Sequence, residues 1–176
     1  QIIIMDFTIH TYKNLLNALQ LMDYVFQTFE QFVVSDYAQK TIVLRHDVDR
    51  LPENALRIAQ IENAMDVKAS YFFRVVAQTW NSEIIKEIVN LGHEVAYHYE
   101  DLTIAKGEYE IAIQHFEKNL ARIRKYYPVK TICMHGSPMK KWDNRRLWEK
   151  YDYRKYGIIA EPYIDKEEYV KEFWMD

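Results

Sequence analysis

TIVLRHDVDRL, residues 41–51, decides how the rest of the chain is read. The β-branched apolar run Ile42, Val43 and Leu44 predicts a short buried strand. It gives way within one residue to Arg45, His46, Asp47, Val48, Asp49 and Arg50. Ionisable groups at the end of a buried strand are costly unless they are paired, metal-bound or wet, so chemistry is expected here. If the strand runs through the motif, Asp47 and Asp49 project to the same side and His46 to the other. Two carboxylates placed this way can share a cation or divide the roles of base and ligand. The plainer alternative is that they cap the helix that follows.

Working outward from this stretch, the same alternation recurs. Residues 52–65 read as a helix with Pro52 in its first turn and Glu53 beside it. KASYFFRV at 68–75 is a second strand; Asn81 or Ser82 caps a helix to Leu91, which Gly92 ends. HEVAYH at 93–98 is a third strand, loaded at its end with His98, Tyr99, Glu100 and Asp101. A helix over 108–126 follows, with Ile111, Ile113, Phe116, Leu120 and Ile123 as its apolar stripe, stopped before Pro128. TICMH at 131–135 is a fourth strand, ending on His135, Gly136, Ser137 and Pro138. Asp143 or Asn144 then caps a short helix through Trp148 and Tyr151, and GIIA at 157–160 predicts a fifth strand leading to Glu161. Upstream, Leu15, Leu16, Leu19, Met22, Val25, Phe26 and Phe29 predict one amphipathic helix over 11–33, ending between Phe32 and Asp36.

Strand and helix alternating every 25–35 residues or so predict an α/β fold with parallel strands and right-handed crossovers, whose site gathers at the carboxyl ends of the strands. A closed eight-unit barrel needs about 200 residues or more. The expectation is therefore a distorted or incomplete (β/α) barrel over 41–176, one that can lack its last units, behind an N-terminal helical extension over 1–40.

The 176 residues suit one domain with a sizeable core. With 23 Lys and Arg against 26 Asp and Glu, a net charge of −3 offers no basic surface for nucleic acid. The 14 Tyr, 8 Phe and 4 Trp serve packing first, though aromatic surfaces also suit sugar rings. A single cysteine, Cys133, excludes an internal disulfide and a cysteine-based zinc knuckle, and reads as a buried strand residue. No apolar run approaches the 18 or so residues of a membrane span, and no signal peptide is visible, so a cytoplasmic location is expected over secretion. The chain starts at Gln1 rather than Met and shows no stop signal near Asp176, so whether it is a piece of a longer protein stays open. Nothing in the sequence fixes the oligomeric state.

Asp47, Asp49, His98 and His135 place two carboxylates and two imidazoles at one rim. Mixed oxygen and nitrogen donors suit a divalent metal, zinc first, with a position open for water. Such a metal lowers the pKa of water, a nearby carboxylate takes its proton, and an amide or ester is the natural target. Arg45 is placed to pair with a carboxylate and keep Asp47 ionised. Tyr99, Glu100 and Trp142 are candidate substrate contacts; Tyr97 reads as core. His46 and His93 read as structural hydrogen-bonders, and His10 and His115 as residues on or near helices. Lys140, Lys141, Arg145 and Arg146 read as a solvated face.

RHDVD at 45–49, KASYFF at 68–73 and GHEVAYHYE at 92–100 together resemble the polysaccharide deacetylase (NodB-homology) superfamily. That resemblance, spanning about Thr41 to Ser137, implies a distorted (β/α) barrel that removes N- or O-acetyl groups from glycans with a divalent metal. It implies Asp47 as the catalytic base, Asp49 as the first metal ligand and His98 as the first histidine ligand. The family's second histidine falls four residues on, at Leu102, which cannot bind metal. His135 on the next strand is expected to replace it, with Glu100 as the alternative. The family's arginine-proline motif is replaced by His135-Gly136-Ser137-Pro138, and no histidine follows His135 to act as an acid.

Three functions remain in view: a metal-dependent deacetylase acting on an acetylated carbohydrate or similar small substrate; a non-catalytic carbohydrate-binding relative in which Leu102 marks the loss of metal; and a D-x-D nucleotide-sugar glycosyltransferase, for which no nucleotide signature accompanies the motif.

Overall fold

The computed structural model describes residues 8–35, 40–136 and 141–165. Asp36, Ser137, Pro138 and Lys140, named above, lie outside them. The core of the fold is a curled sheet of four parallel strands in the order β3 (Arg45–Val48), β4 (Ser70–Phe73), β5 (Glu94–Tyr99) and β6 (Ile132–Met134). Registers run Asp47 opposite Phe72, Phe72 opposite Ala96, and His98 opposite Cys133. A second parallel pair, β1 (Val25–Gln27) and β2 (Thr41–Val43), extends the wall. Only Leu44 separates β2 from β3, and its carbonyl accepts from Ser70 N–H at 2.9 Å. Residues 41–48 are thus one extended run that exchanges β1 for β4 as its partner at Leu44.

Side-chain alternation sorts the sheet into two faces. On the outer face Val48, Tyr71, Phe73, Val95, Tyr97, Tyr99 and Ile132 pack with buried residues of α3 (Pro52–Ala64), α4 (Ser82–Asn90) and α6 (Tyr109–Ile123). On the inner face Phe72, Ala96 and Cys133 meet Phe29 of α2 (Phe29–Val34), which fills the hollow of the curl. The helix boundaries follow local chemistry. Asn81 caps α4 by accepting from Glu83 and Ile84 N–H, and Gly92, at φ +82°, takes the left-handed conformation that ends it. In α6 the buried stripe is Ala112, Ile113, Phe116, Leu120 and Ile123; Ile111 faces outward instead, because it is out of phase with that 3.6-residue face.

Two expectations change. The single helix over 11–33 is α1 (Ile9–Leu21), then β1, then α2. Asp23 takes φ +63°, which no helix accommodates, and Val25 N–H pairs with Lys40 C=O. Thr28 and Gln31 then form a reciprocal capping box that starts α2. The fifth strand at 157–160 shrinks to one parallel bridge, Ala160 with Thr131. Helix α5 (Asp101–Ile104) was not foreseen; it follows β5 directly and buries Leu102 in the outer core. It leads to Gly107, at φ +87°, where an added Cβ would overlap the Trp142 indole.

Candidate metal centre

Strand ends bring the predicted residues together. Asp49 follows β3 by one residue, His98 lies on β5, and His135 follows β6 by one residue. Asp49 Oδ1 is 3.1 Å from His135 Nδ1 and 3.5 Å from His98 Nε2, and the two imidazole nitrogens are 3.2 Å apart. Asp47 Oδ2 stands 3.8 Å from His98 Nε2. Asp47 and Asp49 therefore project to one side, and neither caps α3: Leu51 occupies the cap position without a side-chain bond.

The donor triangle suits a cation. His98 Nδ1 lies 3.0 Å from the Cys133 carbonyl; donating to it fixes the tautomer and leaves the Nε2 lone pair facing Asp49 and His135. Burial pushes His98 down in pKa, so it stays neutral, as a metal ligand must be. His135 Nδ1 pairs with His98 Nε2, and Asp49 Oδ1, though buried, makes no hydrogen bond of its own. Burial pushes the Asp49 carboxyl up, but the neighbouring His135, with His98 and Arg74, outweighs it and holds Asp49 below its ordinary value. A tetrahedral zinc ion with bonds of about 2.05 Å places its ligand atoms about 3.3 Å apart, close to the three separations here. A divalent metal such as zinc therefore fits Asp49, His98 and His135. Asp47, His98 and Cys133 form an overlapping group one layer deeper, but burial, then Asp47, push the Cys133 thiol up, so it remains protonated.

The surroundings hold these groups in place. Arg45 Nη2 donates to Asp47 Oδ2 at 3.0 Å and to the Tyr163 hydroxyl at 2.9 Å, and its guanidinium stacks on the Tyr163 ring. Tyr163 is in turn fixed by its N–H to Glu161 Oε2, and Glu161 also accepts from Met134 and Ile164 N–H. Burial pushes the Glu161 carboxyl up to about 7. Arg74, just after β4, donates to Glu100 at 2.6 Å and reaches the Asp49 carbonyl at 3.4 Å.

The expected substrate contacts divide. Tyr99 is fully buried between Phe116 and Trp148, and its role as a substrate contact is corrected: one residue after inward-facing His98, it points to the helix side. Glu100 is occupied by Arg74 and is not a member of the donor triangle. Trp142 is half-buried, with its indole over Gly107 and its carbonyl accepting from Thr103 Oγ1. His46 bonds Glu62 at 2.6 Å on the opposite side of the strand from Asp47, and His93 bonds the backbone of Ala59 and Ala69, both as expected. Tyr163, Arg74 and Asn144 escaped the sequence. Only Arg74, directly after the KASYFF strand, carried a signal, since it is a charge at a strand's carboxyl end.

No family model matches the chain, and no curated protein matches it. Among solved structures, a family 4 acetyl xylan esterase from Clostridium thermocellum, in complex with a cobalt ion, matches at TM-score 0.38 and 27% identity over 52% of this chain and 47% of that one. The deacetylase PplD of Streptococcus pyogenes, in complex with acetate, matches at TM-score 0.62 and 16% identity over 81% of this chain and 69% of that one. The curled parallel half-barrel with its N-terminal helix is thus a fold shared with a deacetylase.

Proposed function

We propose that the chain is a metal-dependent hydrolase that removes acetyl groups from an acetylated carbohydrate or similar substrate, with zinc as the metal. The observation that carries it is the convergence of Asp49 Oδ1, His98 Nε2 and His135 Nδ1 within 3.1–3.5 Å, with the Asp47 carboxylate beside them. The fold shared with PplD, a deacetylase in complex with acetate, lends support.

Asp49, His98 and His135 would hold the ion, which supplies Lewis acidity toward the acetyl carbonyl and acidifies water. Asp47 takes the proton of the attacking water on Oδ1, because Arg45 occupies Oδ2. Arg45, anchored by Tyr163, holds that carboxylate in orientation. Once protonated, Asp47 is the group beside the triangle able to return the proton to the leaving nitrogen or oxygen, so one carboxyl serves both transfers. His135 stands in for the histidine missing at Leu102, which lies in the core.

A glycosyltransferase would turn both aspartates toward one metal diphosphate; here Asp47 pairs with Arg45, while Asp49 joins two histidines. The carbohydrate-binding alternative rested on Leu102, a loss that His135 makes good. Metal analysis and acetate release from acetylated glycans test the proposal. About one equivalent of zinc, lost in His98→Ala together with acetate release, is expected. Wild-type protein that binds no divalent metal, or releases no acetate from any acetylated glycan, would overturn it.

Among the described residues no helix is long and apolar enough to cross a membrane.

A further inference from the structure

We propose that Asn144 is the positioning residue that holds His135 in the donor triangle, an inference that rests on the metal reading above. His135 stands one residue past β6, where a last ladder bond to β5 holds its N–H and its carbonyl needs a partner from elsewhere. Its N–H reaches the Tyr99 carbonyl at 2.8 Å, and its own carbonyl accepts from Asn144 Nδ2 at 2.9 Å. Asn144 is 1% exposed, and its Oδ1 accepts the Thr103 N–H at 3.0 Å. The amide therefore bridges α5 to the backbone of a proposed ligand.

Asn144 does not cap its own turn. Asp143 does that, accepting from Arg145 N–H at 2.9 Å, so both ends of the Asn144 amide are free to join other elements. The bridge needs a donor and an acceptor on one short planar group, which asparagine supplies and aspartate or leucine does not. Its far end is rigid: Leu102, next to Thr103, is locked in the core. The residue at the position of the family's second histidine thus anchors the strut that places the replacement.

Partners that orient a metal ligand typically contribute 10–100-fold to metal affinity. Zinc affinity, measured by competition with a chromophoric chelator, is to be compared with the thermal midpoint of the metal-free protein. Asn144→Asp keeps the acceptor for Thr103 and loses the donor to His135; Asn144→Leu removes both without adding charge. Both variants are expected to bind zinc about 10–100-fold more weakly, and to alter the visible spectrum of bound Co²⁺. Leu147→Ala, a fully buried position three residues on, is expected to lower the midpoint and leave affinity within about twofold, since it removes packing alone. Wild-type affinity in both Asn144 variants would overturn the positioning role and leave the metal reading standing. Equal weakening by Leu147→Ala would reduce Asn144 to general packing and overturn it too. A wild-type protein that binds neither Zn²⁺ nor Co²⁺ would overturn both readings. If the Asn144 variants do not fold, the Asn144 side-chain amide signals of the wild type carry the test by NMR: a shift on adding zinc supports the role, and unmoved signals overturn it.

Discussion

The inner face of the sheet carries polar clusters at both ends, and they differ in one respect. At the amino end Glu94 is fully satisfied: Oε2 accepts from Ser70 Oγ at 2.6 Å and Glu30 N–H at 3.0 Å, and Oε1 accepts from Thr131 Oγ1. Ser70 Oγ accepts in turn from Phe29 N–H, so the start of α2 is seated on this cluster. At the carboxyl end, four residues and about 13 Å further along β5, His98 belongs to a group in which Asp49 Oδ1 and Arg45 Nη1 are buried without hydrogen bonds. Buried polar groups are ordinarily paired. A carboxylate that has its partners is architecture; one that lacks them, beside two imidazoles, is a place for a ligand.

The contrast can be broken most sharply at the rim. Asp47→Asn is expected to lower acetate release by about 10²–10⁴-fold, the usual contribution of a general base, with zinc content unchanged. Full activity in that variant would show that the two aspartates do not divide the work. At the other end, Glu94→Ala strands three donors and should lower unfolding free energy in urea by about 3 kcal/mol, with zinc affinity unchanged. A loss of zinc binding there would mean that the two ends are not independent.

A third buried carboxylate, Glu62, sharpens the comparison on the outer face. It accepts from Tyr12 and Tyr71 hydroxyls at 2.5 Å and lies 2.6 Å from His46 Nε2. Burial pushes Glu62 up, but His46, Tyr12 and Tyr71 outweigh it and hold it below its ordinary 4.5, whereas burial wins at Glu94 and raises it. The signs are opposite. Stability from Glu62 is fully present above pH 4.5 and is lost as pH falls through its lower folded value. For Glu94 the folded state holds the proton more tightly, so its contribution declines as pH rises from 4.5 through the raised value. Glu62→Gln should therefore reduce stability by about 2 kcal/mol at neutral pH, and the gap to wild type should close below pH 4.5 in thermal melts. A gap that stays constant with pH would show that Glu62 is not held as the anion.

Much of the rim was legible because strand alternation is a strong rule. Asp47, Asp49, His98 and His135 could be placed from apolar runs that end in charge, and His46 was assigned to the other side of its strand for the same reason. The same rule also decided against Tyr99, which stands next to an inward histidine. The N-terminal helix ran too long because Met22, Val25, Phe26 and Phe29 keep helical spacing through a strand; the break lies in a positive φ at Asp23, which composition does not reveal. The Thr28-to-Gln31 capping box was the available signal. Tyr163 and Asn144 left no pattern, because they act through bonds to partners 118 and 9 residues distant in sequence.

Gly107 is no part of the donor triangle, yet its missing side chain is heritable information about it. Any other residue there must displace the Trp142 indole, and Trp142 stands two positions before the amide that bridges to His135. A screen for inactive variants would therefore return substitutions at 107 alongside those at 49 and 98. A map of mutational tolerance for this protein would show an intolerant position outside the donor triangle.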